Sequence, residues 1–205
     1  RIAFRQLMTI LDTIGGTRIL ELRHLVPETS ARVLLKLEYE NPTGSMKDRM
    51  ALAMVEGAIA DGTLKPGGAV VEYTGGSTGV SLALVCAAKN IPLHIVTSDA
   101  FSEEKRKHMM ALGARLTLIP SPTGGTTKAL TLAMIAKARE LASRPGSVLT
   151  DQLNNRHPLA AYEKMAGEIN DQIDGPIDAF VQSVGTAGSV RGIGAGLRAR
   201  HPGIR

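Results

Sequence analysis

No tryptophan occurs among the 205 residues, and only three tyrosines and three phenylalanines do. Aromatic content this sparse argues against modules that bind single-stranded nucleic acid by stacking bases on rings. Cys86 is the one cysteine, so an internal disulfide or a cysteine-based metal cluster is excluded. Set in the apolar run Val80-Ser81-Leu82-Ala83-Leu84-Val85-Cys86-Ala87-Ala88, it reads as a buried helix residue. No apolar stretch reaches the roughly 20 residues that a bilayer demands, and no secretory signal precedes the first strand. The expectation is a cytoplasmic protein without a membrane partner. His24, His94, His108, His157 and His201 are dispersed without ligand-like spacing, so no metal site is expected. A Gly-x-x-x-x-Gly-Lys-Ser/Thr phosphate loop is missing. Gly192-Ile193-Gly194-Ala195-Gly196 falls inside a helical pattern without the third spacing of a dinucleotide fingerprint. The net charge of +5 comes from scattered basic residues, among them Arg1, Arg5, Arg18, Arg23, Lys105, Arg106, Lys107, Arg191, Arg198 and Arg200. Without a basic run, an anionic small ligand is a better expectation than nucleic acid.

What the chain does have is glycine, 22 of them, and a hydrophobic content of 43%, enough for a substantial core. Strand-like and helix-like segments alternate. Short apolar strands are expected at 31–38, 69–73, 93–97, 115–119, 147–150 and 178–182. Helices are expected from 47 to a stop at Gly62, through Cys86, over 102–112, 126–142 and 159–173, and from 188 onward. This order implies parallel sheets with ligands gathered at loops beyond the strand carboxyl ends. The first residue is arginine, and 201–205 reads as a loop leading toward another strand, so the expectation is a chain truncated at its C-terminus.

Asn41-Pro42-Thr43-Gly44-Ser45 is a cluster of turn formers, after which Met50, Ala51, Met54, Val55 and Ala58 recur at helical spacing with Ser45 available as a cap. Lys47 therefore falls in the first turn of a helix, where the macrodipole disfavours a cation. An amine whose charged form is disfavoured is suited to Schiff-base chemistry; the alternative is a lysine neutralised by Asp48 or Glu40. Two further loops join a strand to a helix and converge backbone N–H groups on a helix N-terminus: Thr74-Gly75-Gly76-Ser77-Thr78-Gly79 and Gly185-Thr186-Ala187-Gly188-Ser189. Two such cradles suit two anionic groups, a carboxylate and a phosphate.

Taken in order, these segments resemble the pyridoxal-phosphate enzymes of the cysteine synthase and cystathionine β-synthase family, the fold type II or tryptophan synthase β-like group. Ile14-Gly15-Gly16-Thr17-Arg18-Ile19-Leu20 is similar to the family's Ile-Gly-Asn-Thr-Pro-Leu opening, and the segment around Lys47 to its Asn-Pro-x-x-Ser-x-Lys-Asp-Arg motif. The loop at 74–79 resembles Thr-Ser-Gly-Asn-Thr-Gly, and the loop at 185–189 resembles Gly-Thr-Gly-Gly-Thr. Asp151-Gln152 with Pro158-Leu159-Ala160 and Tyr162 resembles the family's Asp-Gln segment. The resemblance implies pyridoxal 5'-phosphate held by Lys47 as a Schiff base, with Lys47 later acting as base. It implies a cofactor phosphate held by Gly185, Thr186, Ala187, Gly188 and Ser189, and Ser77 standing where an asparagine meets the cofactor ring. The substrate carboxylate would be bound by Thr74, Gly75, Gly76 and Thr78 with Gln152. Implied activity is β-replacement on an activated serine, O-acetylserine or O-phosphoserine, with a sulfur nucleophile. β-Elimination, or a non-catalytic member acting through protein contacts, are the alternatives. The implied architecture is two three-layer α/β/α domains with mainly parallel sheets around a cofactor cleft. Residues 41–147 would form the smaller mobile domain, 1–40 and 148–205 the larger, in a homodimer. Three departures stand out: Ser77 for asparagine, Gly75 in place of a hydroxyl-bearing residue, and Arg18 after Thr17.

Overall fold

The computed structural model describes residues 7–27 and 29–205; Arg1 and Arg5, counted above among the scattered basic residues, lie outside them. Val70–Tyr73 (β3) is buried along its whole length, as a strand with helices on both faces must be. It pairs in parallel with Leu93–Ser98 (β4) on one side and Val148–Leu149 (β6) on the other, and β4 pairs in parallel with Arg115–Ile119 (β5). The sheet order is β5-β4-β3-β6. Successive side chains of a strand point to opposite faces, and the core divides accordingly. Val70 and Ile95 join one cluster with Ser77–Ala88 (α2), Glu103–Ala111 (α3) and Lys47–Ala60 (α1), while Val71, Tyr73 and Val96 pack on Lys128–Ala142 (α4). The sheet is thus the middle of three layers. Mixed α/β architecture with a parallel sheet agrees with the expected class.

After β5 the chain crosses back under the sheet through α4 and enters β6 beside β3. The direction of winding therefore reverses between β3 and β6. In open parallel sheets this switch point opens a crevice beyond the strand carboxyl ends, because the two following loops diverge. Here those loops are 74–76 and 150–156.

His157–Gln172 (α5) and Gly188–Arg200 (α6) pack side by side, and α1 packs on α5. Gly192 and Gly196 make the α5–α6 approach possible. A Cβ at 192 would lie 2.6 Å from the Tyr162 Cβ, and one at 196 would lie 2.6 Å from the Ala166 Cβ. The glycine-spaced run of α6 thus serves helix packing.

Three local expectations are corrected. Ile19–Leu22 (β1) and Val33–Lys36 (β2) form a separate antiparallel ribbon, and only β2 was anticipated. β1 is four residues long and partly exposed, too short to show a period. Segment 178–182 forms no ladder strand among the described residues. Its ordered backbone bonds are Phe180 N–H to Arg205 O and Arg205 N–H to Asp178 O, both 3.0 Å, and Val181 is 91% exposed. Only Val181 among these five residues is β-branched, and pairing with the single residue Arg205 does not make a ladder. Ser45 is not the residue that caps α1 by position, since Met46 holds that place, but its hydroxyl does accept the Lys47 N–H at 3.1 Å.

Candidate active site

Lys47 is the first residue of α1, and its neighbours decide between the two readings of its charge. Asp48 is turned away: Thr43 donates to it from both its N–H, at 2.8 Å, and its hydroxyl. Glu40 is engaged by the Arg18 Nε at 2.7 Å. Among the described residues the Lys47 ammonium has no hydrogen-bond or ion-pair partner. Burial without compensation pushes its pKa below the ordinary lysine value. A lysine that sits half-buried, unpaired and at a helix N-terminus is a poor structural choice and a good nucleophile.

Two contacts place the other loops around it. Thr43, in the turn before Lys47, meets the Ser81 hydroxyl of α2 at 3.2 Å, which fixes the 74–79 loop on one flank. Gln182 Nε2 lies 3.8 Å from the Met46 sulfur, which brings the approach to the 185–189 loop to the other. Across the crevice the Thr78 hydroxyl donates to Gln152 Oε1 at 2.7 Å, joining the loop after β3 to the loop after β6. Thr74 and Thr78 are buried, Gly76 caps α2, and Ser77 is its first residue. The start of α1, the loop after β3 and Gln152 are thus linked by direct contacts, and the chain leading to the 185–189 loop touches Met46, next to Lys47.

The residues present fit pyridoxal phosphate. Ala187 takes a left-handed conformation, φ +61°, which turns the chain into the first turn of α6. The first intrahelical bond runs from Arg191 N–H to Ala187 O, leaving the preceding N–H groups free for an anion. The Thr186 and Ser189 hydroxyls spend no hydrogen bond on the described residues, and a Cβ at Gly185 would meet open space. An electropositive cradle with unspent donors near an unpaired amine is the donor set a phosphorylated aldehyde needs. The single thiol is not a competitor, since burial pushes Cys86 up to about 12.

Three contributors escaped the sequence reading. Glu72 is fully buried at the carboxyl end of β3, and its only sequence signal was an acid inside an otherwise apolar strand. Arg49, also buried, ties α1 to Glu38, in the turn just after β2, and to Glu168 of α5. Phe101 packs its ring on Gly75: a Cβ there would stand 2.0 to 2.4 Å from three ring atoms. The departure at Gly75 thus has a steric partner 26 positions along the chain. Gly75→Ser is expected to destabilise the protein by about 1–3 kcal/mol through overpacking. Adding Phe101→Ala should recover most of that loss. Equilibrium denaturation of both single variants and the double variant measures the coupling, and strict additivity would remove the pairing.

A profile of the family described as "Pyridoxal-phosphate dependent enzyme" matches residues 10–205. The chain is similar to the cysteine synthase of Staphylococcus aureus (strain N315), 41% identical over 197 residues that cover 95% of this chain and 62% of the relative. Among solved structures it is similar to cysteine synthase from Entamoeba histolytica, with a TM-score of 0.88 and 33% identity over 99% of this chain and 60% of the other. It is also similar to O-ureido-L-serine synthase, with a TM-score of 0.87 and 38% identity over 98% and 62%. The chain spans about three fifths of the length of the curated relatives it matches. With that profile matching residues 10–205, nearly the whole chain, the chain belongs to the family of pyridoxal-phosphate dependent enzymes.

Proposed function

We propose that the protein performs a β-replacement on an activated serine, O-acetylserine or O-phosphoserine, with a sulfur nucleophile, as a cysteine synthase does. The observation that carries this reading is the half-buried Lys47 amine at the start of α1, unpaired among the described residues; the loop at 185–189 is assigned as its phosphate cradle and the loop at 74–79 as its carboxylate cradle. The similarity to proteins named cysteine synthase supports the choice of substrate.

When bound, pyridoxal phosphate supplies an electron sink for the bonds at the substrate's α-carbon. Lys47 Nζ would hold it covalently, and Ser77 is the residue assigned to its ring. Gly185, Thr186, Ala187, Gly188 and Ser189 would hold its phosphate, with the α6 N-terminus contributing fixed positive potential. Thr74, Gly75, Gly76, Thr78 and Gln152 would bind the substrate carboxylate. Because the Thr78 hydroxyl occupies Gln152 Oε1, the Gln152 amide nitrogen is left to donate. Lys47 Nζ then takes the proton from the α-carbon as a free amine, the form that its burial favours. Residues 41–147 are assigned to a smaller mobile unit that closes on the carboxylate and excludes water, and 1–40 with 148–205 to the larger unit of a homodimer.

A second reading keeps the same first half of the reaction and changes the nucleophile. The similarity to O-ureido-L-serine synthase motivates it. Incubating the cofactor-loaded protein with O-acetylserine and either sulfide or hydroxyurea, and identifying the amino acid formed, separates the two. Cysteine is expected. Formation of pyruvate with neither nucleophile incorporated would replace both readings with β-elimination.

A further inference from the structure

Glu72 is a fully buried carboxylate whose hydrogen bonds lead directly to Gln152 in the site. Its Oε1 accepts the Tyr73 N–H at 2.9 Å. Its Oε2 lies 2.8 Å from the Thr150 hydroxyl and accepts the Gln152 N–H at 3.1 Å. Gln152 follows Asp151, which is held in a left-handed conformation at φ +43°, so the backbone here is not in a relaxed loop geometry and needs an anchor. One carboxylate oxygen thus pins the backbone of the residue whose side chain Thr78 orients.

We propose that Glu72 is a positioning residue for substrate binding, fixing the Gln152 backbone so that the Gln152 amide nitrogen is presented to the substrate carboxylate. This rests on the assignment of the 74–79 loop and Gln152 as the carboxylate site.

The arrangement is sensitive to one proton. The Thr150 hydroxyl has two acceptors within reach, Glu72 Oε2 and the Val71 carbonyl at 3.2 Å, but a single hydrogen. With Glu72 ionised, Thr150 donates to Oε2, and Gln152 donates to a carboxylate. With Glu72 protonated on Oε2, the carboxyl donates to Thr150 and Thr150 turns to Val71 O. Gln152 then faces a hydroxyl oxygen, a much weaker acceptor than a carboxylate. Burial pushes Glu72 up to about 7, against the hydrogen bonds from Thr150, Tyr73 and Gln152, and the Asp151 charge raises it further. Most other ionisable groups on the packed elements are committed or neutral: Tyr73 of β3 is kept a phenol by burial, and Arg139 of α4 acts on Tyr73. Cys86 of α2 stays a thiol, Asp48 of α1 is held by Thr43, and Arg49 is held by Glu38 and Glu168. Lys47 of α1 is the exception, with no partner among the described residues, and β4 presents the hydroxyl of Thr97. The switch between the two states falls near neutral pH.

Calorimetric titration of the cofactor-loaded protein with L-serine between pH 6 and 8 tests this. Relative to Glu72→Gln, the wild-type protein should gain about tenfold in affinity as pH rises through 7. Glu72→Gln presents an amide nitrogen in place of one oxygen and should lack that extra gain, matching the wild type near pH 6 and binding more weakly above pH 7; the loss of the substrate's own ammonium proton acts on both proteins alike and cancels in the ratio. Thr150→Val keeps the carboxylate and removes a donor that favours its charge, so the midpoint should move to higher pH. With O-acetylserine, Glu72→Gln should raise KM and leave kcat within about twofold, because the group acts on binding. A Glu72→Gln profile that parallels the wild type, or a loss confined to kcat, overturns the proposal, as does a wild-type protein that binds no L-serine. A protein that binds L-serine as expected but turns over no O-acetylserine overturns the proposed reaction and leaves the positioning role standing.

Discussion

Lys47→Ala is expected to abolish turnover, by at least about a thousandfold, while leaving the fold as stable as before. The two halves of that result have separate physical causes. Activity falls because one atom serves two purposes: Nζ holds the cofactor and moves the α-proton, and a positioned acid–base group alone contributes roughly 10²–10⁴. Stability holds because Lys47 gives the folded state nothing that alanine would remove. Its ammonium has no ion pair among the described residues, and it sits at the end of α1 where the helix dipole opposes a cation. Removing such a charge is worth at most about 0.3–1 kcal/mol, in the stabilising direction. Lys47→Arg sharpens the test. It keeps the charge but offers a guanidinium that stays protonated and cannot act as a nucleophile, so it should be as inactive as alanine. The measurements are the visible absorption of covalently held cofactor, cysteine formation from O-acetylserine and sulfide, and thermal unfolding. Substantial turnover by Lys47→Ala would take the lysine out of the chemistry.

The contrast between Lys47 and its neighbours also marks what the sequence made legible. The lysine could be found because its evidence is local: turn formers before it, helical periodicity after it, and a charge at the wrong helix end. Both glycine loops were equally local: 74–79 joins β3 to α2, and 185–189 leads into α6, although no strand directly precedes it among the described residues. The resemblance to the family then ordered these pieces, and the family profile over residues 10–205 agrees with it. Long-range pairings were not accessible. Gly75 gives no hint that Phe101 will fill its missing Cβ, and Glu72 gives no hint that its partners are Thr150 and Gln152, 78 and 80 positions away. The β1 strand was missed because four partly exposed residues carry too little period to recognise. The strand expected at 178–182 failed for a different reason, since its pairing amounts to two backbone bonds with the single residue Arg205.

Arg49 illustrates the same point with a large energetic consequence. Its guanidinium is buried and donates to Glu38 from Nε and Nη2, both at 2.8 Å, and to Glu168 from Nη1 and Nη2 at 2.6 and 2.7 Å. Lys36 Nζ adds a contact to Glu168 at 2.9 Å, and the Gly16 N–H another at 3.1 Å. The turn just after β2, α1 and α5 are joined through this one cation. Arg49→Leu fills the space with apolar atoms but strands two carboxylates, and removing one partner of a buried pair costs about 3–5 kcal/mol. Thermal unfolding should fall by roughly 10 °C for a chain of this size. The acid limb reports the same network. Burial pushes the Glu168 carboxyl up, but the hydrogen bonds from Arg49, Lys36 and Gly16 outweigh it and hold it at about 2. A carboxylate with a depressed folded-state pKa contributes stability above its unfolded value, near 4.5, and that contribution is lost as pH falls from there toward 2. Without Arg49 the Glu168 pKa returns upward and acid unfolding should begin at higher pH. Because Arg49 lies two residues beyond Lys47 in α1, the displaced helix should also bind the cofactor less tightly, even where the protein remains folded. An Arg49→Leu protein with wild-type unfolding temperature and acid midpoint would show that the cation is replaceable and that the packing of α1 on α5 alone holds Lys47 in place.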